Sequence, residues 1–172
     1  MNFQYPLETL ARKRASTSQL DFAREARRVF DDDDDTLFEA HDHGLAILAA
    51  HENALERPVK VLRQLYGDEV EVRRPKVRYL PGEPLHEPIM HVRISVRREY
   101  ADAVVRELRS RGARIVEQCV RPRLSIVRAE APLALLLGLP ALLEVMTDGT
   151  ASHAIRLLHY APLPPDPHPI AA

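Results

Sequence analysis

Ten arginines lie between Arg93 and Arg128, against Glu99, Asp102, Glu107 and Glu117 in the same stretch. A guanidinium pairs bidentately with phosphate, and RNA helices are read largely through shape and backbone, so this stretch points to polyanion binding. Seven of the ten are candidate contacts: Arg97 and Arg98 ahead of a helix, Arg109, Arg111 and Arg114 around its end, and Arg121 and Arg123 flanking a turn. The competing reading is that Arg97, Arg106, Arg109 and similar residues are the solvated side of a helix. The opposite sign gathers at Asp31 to Asp42, with five consecutive Asp, Glu39 and Asp42, and no Lys or Arg. That run lacks the alternating ligands, central Gly and distal Glu of a calcium loop, and reads as a solvated loop ending a helix.

No catalytic constellation emerges. His41-x-His43 with Asp42 and His51 has ligand types that suit zinc, but two histidines flanking an Asp in a turn are expected as surface polarity, so no metal is expected. Cys119 is the single cysteine. It cannot form an internal disulfide or a Cys-rich zinc site, and with no helix N-terminus or paired His predictable beside it, a buried inert thiol is expected. No serine lies in a G-x-S-x-G elbow. The expectation is a protein without enzymatic activity, metal or cofactor.

The chain has 172 residues, 45% hydrophobic and 28% charged, with a formal net charge of -1. That is the composition of a globular protein, one ordinary domain or two small ones. The apolar run Leu133 to Leu143 is broken by Gly138 and Pro140, short of the ~18 residues of a membrane span. Met1 to Pro6 shows no basic-then-apolar signal pattern, so a cytoplasmic location is expected.

Two repeats of one pattern must position these residues. Phe3 to Lys13 reads as a strand with Leu7, Thr9 and Ala11 on one side. Ser18 caps a helix that carries Leu20, Ala23, Ala26, Arg27 and Phe30. Strands follow at Thr36 to Ala40 and Leu45 to Ala49, turning at Asp42-His43-Gly44. Val59, Leu62, Leu65 and Tyr66 keep helical spacing up to Gly67, and Glu69 to Val72 and Lys76 to Tyr79 are extended. In the second half, Ile89, His91, Arg93 and Ser95 alternate with Met90, Val92, Ile94 and Val96, a period of two with one apolar face. Tyr100, Val104, Val105 and Leu108 then predict a helix ending at Gly112. Ala113 to Val120 and Leu124 to Ala131 form a hairpin around Arg121-Pro122-Arg123. Pro132 opens a short helix carried on by Leu139, Leu142, Leu143 and Val145 to Gly149, and His153 to Tyr160 is a last strand. Each half reads βαββαβ, so the fold class is α+β with two ferredoxin-like domains in tandem. The boundaries expected are 1–80, a linker at 81–86, 87–162, and a Pro-rich disordered tail at 163–172.

The second half resembles the C-terminal domain of bacterial elongation factor G. The matching residues are Glu87-Pro88-Ile89-Met90, Arg111-Gly112, Ala129-Glu130-Ala131-Pro132-Leu133, Met146-Thr147-Asp148-Gly149 and His159-Tyr160. They stand in the order of that family's EPIM strand, R-R-G helix end, PL turn, T-x-G loop and closing HY strand. The resemblance implies that Arg111, Gly112, Thr147, Gly149, His159 and Tyr160 are family-motif positions, and that His159-Tyr160 is a structural strand end rather than an acid–base pair. The first half is similar to the family's domain III. Asp35-Thr36-Leu37-Phe38 occupies the place of D-P-T-F, Ile47 to Glu56 that of a G-M-G-E-L-H-L-E segment, and Pro75-Lys76-Val77-Arg78-Tyr79 matches P-x-V-x-Y. Ala49-Ala50-His51 replace G-M-G, and Asn53-Ala54 replace L-H. None of the six glycines begins the G-x-x-x-x-G-K-(S/T) loop that holds nucleotide phosphates, and only a short linker joins the two halves. The resemblance implies domains III and V without the GTPase domain and domain IV. It implies a non-catalytic protein that binds the large ribosomal subunit and its rRNA and modulates elongation or factor binding. The alternative is a protein–protein module that keeps the fold and has lost the ribosome.

Overall fold

The computed structural model describes residues 3–165; residues 166–172 of the expected tail lie outside the described residues. The chain divides into two compact units, one ending at Arg78 and the other beginning at Tyr79. Each is a ferredoxin-like βαββαβ domain. No helix among the described residues is long and apolar enough to cross a membrane.

The first unit contains β1 (Leu7–Lys13), α1 (Gln19–Arg27), β2 (Thr36–His41), β3 (Gly44–Ala49), α2 (Glu56–Tyr66), β4 (Val70–Val72) and the short β5 (Lys76–Val77). Its antiparallel sheet runs β2-β3-β1-β4, and β5 pairs with the start of β1. Leu7, Thr9 and Ala11 sit opposite Ala49, Ile47 and Leu45, and all six are buried. The first strand begins at Leu7 rather than Phe3, because Phe3 and Gln4 form a turn, and Tyr5 and Pro6 follow it as buried residues ahead of the strand. Ser18 caps α1 by accepting the Asp21 N–H at 3.2 Å. The helix stops at Arg27 rather than Phe30, and Phe30 instead stacks on Phe38 with centroids 4.5 Å apart. Leu65, expected on the buried face of α2, is 54% exposed; Leu62 and Pro58 fill that place.

All five residues of the Asp run are exposed, as expected of a solvated loop, yet two of them also make structural bonds. The Asp33 carboxylate accepts the Thr36 N–H at 2.6 Å, the Thr36 hydroxyl at 2.9 Å and the Asp35 N–H at 2.9 Å. Burial works against the charged form, but the Thr36 and Asp35 bonds, with Arg57 nearby, hold the pKa below its ordinary value. Asp32 accepts the Phe38 N–H at 3.0 Å and pairs with Arg27 at 2.6 Å. Two of the five aspartates thus fasten the entry to β2.

The second unit contains β6 (His86–Arg97), α3 (Ala101–Ser110), β7 (Arg114–Val120), β8 (Leu124–Pro132), α4 (Leu133–Leu136), α5 (Leu139–Met146) and β9 (Ser152–Pro162). Its sheet order is β7-β8-β6-β9, all antiparallel. Met90, Val92, Ile94 and Val96 of β6 are fully buried, opposite Ala131, Ala129, Val127 and Ser125. On the same sheet α4 packs against β6, and α3 packs over β7 and β8 with Ala101, Val104, Val105 and Leu108 buried, the i, i+3, i+4, i+7 stripe of an amphipathic helix. The helix expected from Pro132 to Gly149 is two helices, because Gly138 takes a left-handed φ of 77° and breaks it. Val145 points outward at 76% exposure. Cys119 is half-buried on the edge strand β7, not buried as expected; β7 has a neighbour on one side only. The stretch expected as a linker, 81–86, folds back on itself. Leu80 and His86 exchange backbone hydrogen bonds at 2.9 and 3.0 Å, and His86 already belongs to β6.

Four of the motif positions hold this unit together. Arg111 bonds Glu107 at 2.6 Å and donates to the carbonyls of Leu135 and Leu137, each at 3.0 Å. It thereby joins the end of α3 to the α4–α5 turn. Gly112 follows with φ 77°, the left-handed conformation that ends a helix without side-chain strain. Thr147 is fully buried, donates to the Leu143 carbonyl at 2.7 Å and accepts the Ala151 N–H at 3.1 Å. Gly149, with φ 69°, donates its N–H to the Glu144 carbonyl at 2.7 Å. Arg111→Ala is expected to lower the unfolding free energy by about 1–3 kcal/mol, since two carbonyls and a carboxylate lose their donor. Urea denaturation reads this, and a change below about 0.5 kcal/mol would show that the guanidinium is not a structural tie.

Candidate nucleic-acid interface

The alternation of β6 sends one set of side chains into the core and the other to the opposite, open face of the sheet. Register then assembles that face from four strands. His91 stands opposite Glu130 of β8 and Arg156 of β9, Arg93 opposite Arg128 and Ala154, and Arg97 opposite Leu124. On β7, Arg114 stands opposite Glu130 and Glu117 opposite Arg128, and both pairs are joined as ion pairs.

The Arg93–Arg128 opposition departs from what a sheet would choose for stability, because like charges directly across a ladder repel. Glu117 compensates Arg128. Arg93 is exposed and has no ion-pair partner among the described residues, and Arg156 lies on the same face. A sequence conflict of this kind, on an exposed face, is where binding function is sought.

The seven arginines singled out from the sequence fall into two groups. Arg97, Arg98, Arg121 and Arg123 meet at one end of the sheet. There the Arg98 N–H donates to the Arg123 carbonyl at 3.3 Å, and the β7–β8 turn carries Arg121 and Arg123. All four are exposed, and among the described residues Arg97 alone has a carboxylate near, Glu99 at 3.8 Å and exposed, a weak pair in water. Arg109, Arg111 and Arg114 lie toward the other end. Arg114 and Arg97 stand opposite residues six apart on β8, a separation of about 20 Å along the strand. Arg111 is committed to the interior and Arg114 to Glu130, which leaves Arg109 without an ion-pair partner among the described residues. The structure therefore brings four of the seven together and removes Arg111 from the surface set.

Sequence reasoning left Arg93, Arg128 and Arg156 out of the candidate set. The alternation of β6 already put Arg93 on the polar face. The opposition to Arg128 needed the β6–β8 register, and Arg156 comes from a strand well outside the arginine-dense stretch. His159 is exposed on β9 opposite Ile89, and Tyr160 stands opposite Pro88, both at the end of the sheet away from the four arginines. The Tyr100 hydroxyl donates to Asp148 at 2.8 Å, and that bond raises the phenol pKa, fastening the start of α3 to the loop after α5.

The histidines of the first unit form local pairs. His41 and His43 stack with centroids 5.2 Å apart, His41 contacts Glu39 at 3.3 Å, and His43 contacts Asp42 at 2.8 Å. His51 accepts the Ala54 N–H at 3.3 Å and lies 3.6 Å from Asp35. Among the described residues, no group of three or more His, Cys, Asp or Glu is placed to hold a metal ion.

Comparison with known proteins agrees with this architecture. The family model for the elongation factor G C-terminus matches residues 84–170, which is 87 of 172 residues. Elongation factor G of Thermotoga petrophila is 35% identical over 80 residues, and that of Thermotoga maritima 31% over 80. Each alignment covers 46% of this chain and 12% of the relative, so the matched stretch spans about an eighth of the relatives' length. The crystal structure of ttk003000868 from Thermus thermophilus shares the fold, with a TM-score of 0.68 at 17% identity, over 92% of this chain and 41% of that one. Through its second unit, the chain belongs to the elongation factor G C-terminus family.

Proposed function

We propose that this chain acts on the translation apparatus by binding rather than by catalysis, docking on rRNA of the large ribosomal subunit and modulating elongation or factor binding. The observation that carries this reading is the cluster of Arg97, Arg98, Arg121 and Arg123 at one end of a sheet whose open face continues the positive charge through Arg93. Family membership supports the same direction. Exposed guanidinia with no structural duty are free to displace counterions from phosphates, the dominant source of affinity for nucleic acid. The first unit is proposed as the counterpart of the family's domain III, supported by its βαββαβ order and by Asp35-Thr36-Leu37-Phe38 at the start of its hairpin.

One observation favours a second reading, a protein partner. Val116 and Val120 are 48% and 54% exposed on β7, an edge strand that presents unpaired backbone groups on one side. Such binding would depend little on salt.

Co-sedimentation with large ribosomal subunits, with and without competing elongation factor G, separates the readings. Pelleting that salt weakens and the factor displaces is expected; no pelleting even at low salt would overturn the ribosomal reading. Replacing Arg97, Arg98, Arg121 and Arg123 together by Ala should weaken binding by at least about tenfold, because several phosphate contacts are lost at once. Unchanged affinity would remove this cluster as the contact. Arg93→Ala is expected to raise the unfolding free energy by a few tenths of a kcal/mol, about the size of one relieved cross-strand repulsion, while lowering ribosome affinity. A loss of stability without a loss of affinity would make Arg93 a structural residue.

A further inference from the structure

A cavity of ≈ 400 Å³ opens in the first unit, between the C-terminal end of α1, the Asp loop and the start of α2. That volume lies within the range of small-ligand sites, about 300–1,000 Å³. Its surface is divided by chemistry. Val29, Phe30, Phe38, Pro58 and Val61 supply an apolar wall, with the two phenyl rings stacked. Asp31, Asp33 and Asp35 supply three carboxylates, against Arg57 as the opposing cation.

These carboxylates are not equivalent. Asp33 is held by Thr36 and Asp35 and stays ionised. Asp31 makes no hydrogen bond or ion pair among the described residues, and Asp35 reaches His51 at 3.6 Å while remaining 62% exposed. A neutral apolar guest would leave Asp31 without counter-charge, and an anionic guest would meet three carboxylates against one guanidinium. A guest with an aliphatic body and a cationic end satisfies both halves, and beside an apolar wall the ion pair is stronger than in open water.

We propose that this cavity binds an amphipathic organic cation, an aliphatic chain ending in an ammonium group. The site belongs to the first unit and stands independently of RNA binding by the second. The same chemistry is presented by a free alkylamine and by a lysine side chain of a peptide.

The test uses the full chain and three probes with one tail, hexylammonium, hexan-1-ol and hexanoate, followed by amide chemical shifts and calorimetry at low ionic strength. Hexylammonium is expected to shift amides of Val29, Phe30, Ala54 and Val61, and to bind at least about fivefold more tightly than hexan-1-ol. Hexanoate is expected to shift none of them. The double variant Asp31→Asn with Asp35→Asn, at exposed positions, should remove the preference for the ammonium over the alcohol. Val61→Arg, which puts a competing cation into the cavity, should abolish binding of all three. Equal affinity for hexanoate and hexylammonium, or a preference that survives the double variant, would overturn the proposal, as would no shifts at these amides up to about 10 mM probe. An acetyl-Leu-Lys-Leu-amide peptide identifies the source: binding that is lost when the lysine is Nε-acetylated supports a protein segment, and binding of hexylammonium without the peptide supports a free amine.

Discussion

The alternation of β6 is the constraint on which the second unit depends. Met90, Val92, Ile94 and Val96 must all face the core, because a slip of one residue would exchange the apolar side chains for His91, Arg93 or Ser95. At about 25 cal/mol per Å² of apolar surface, burying four such side chains outweighs any preference on the other face. The remaining register follows: β8 sets Ala131, Ala129 and Val127 toward the same core, and β9 adds Ile155 opposite Val92. Arg93 and Arg128 are brought face to face as a consequence, so the core determines where unpaired positive charge appears. In the first unit all six residues of β3 are buried, so that strand carries no alternation of its own.

Charge serves two ends in this chain, and residue type does not distinguish them. Arg111 donates to two carbonyls and closes the α3–α4 corner, while Arg98 and Arg123 lie exposed and uncommitted among the described residues. In the Asp run, Asp32 and Asp33 hold the entry to β2, and Asp31 makes no such bond. The structural members are those whose carboxylate or guanidinium finds backbone groups left over by a turn or a helix end. The remainder are available for ligands.

What the sequence revealed and what it concealed divide along the same physical line. Local signals were legible: the Ser18 cap, the stops at Gly67 and Gly112, the period-two face of β6 and the βαββαβ order. Side-chain destinations set by distant segments were not. Nothing near Arg111 announces carbonyls at Leu135 and Leu137, and nothing near Cys119 says that β7 lies at an edge. Leu65 and Val145 kept helical spacing yet point outward, because periodicity gives a stripe and not the width of the surface that covers it. Of the candidate interface, the arginine density was legible; its division into two groups about 20 Å apart needed the register.

The central claim is that phosphate contacts by uncommitted arginines govern association with the ribosome. The salt dependence of the affinity for isolated large subunits tests it most directly. Contacts from Arg97, Arg98, Arg121 and Arg123 predict that log Kd rises with log[KCl] with a slope of about 3 to 4. A slope within about 0.5 of zero, at any measurable affinity, would contradict the account and assign the binding to uncharged surface.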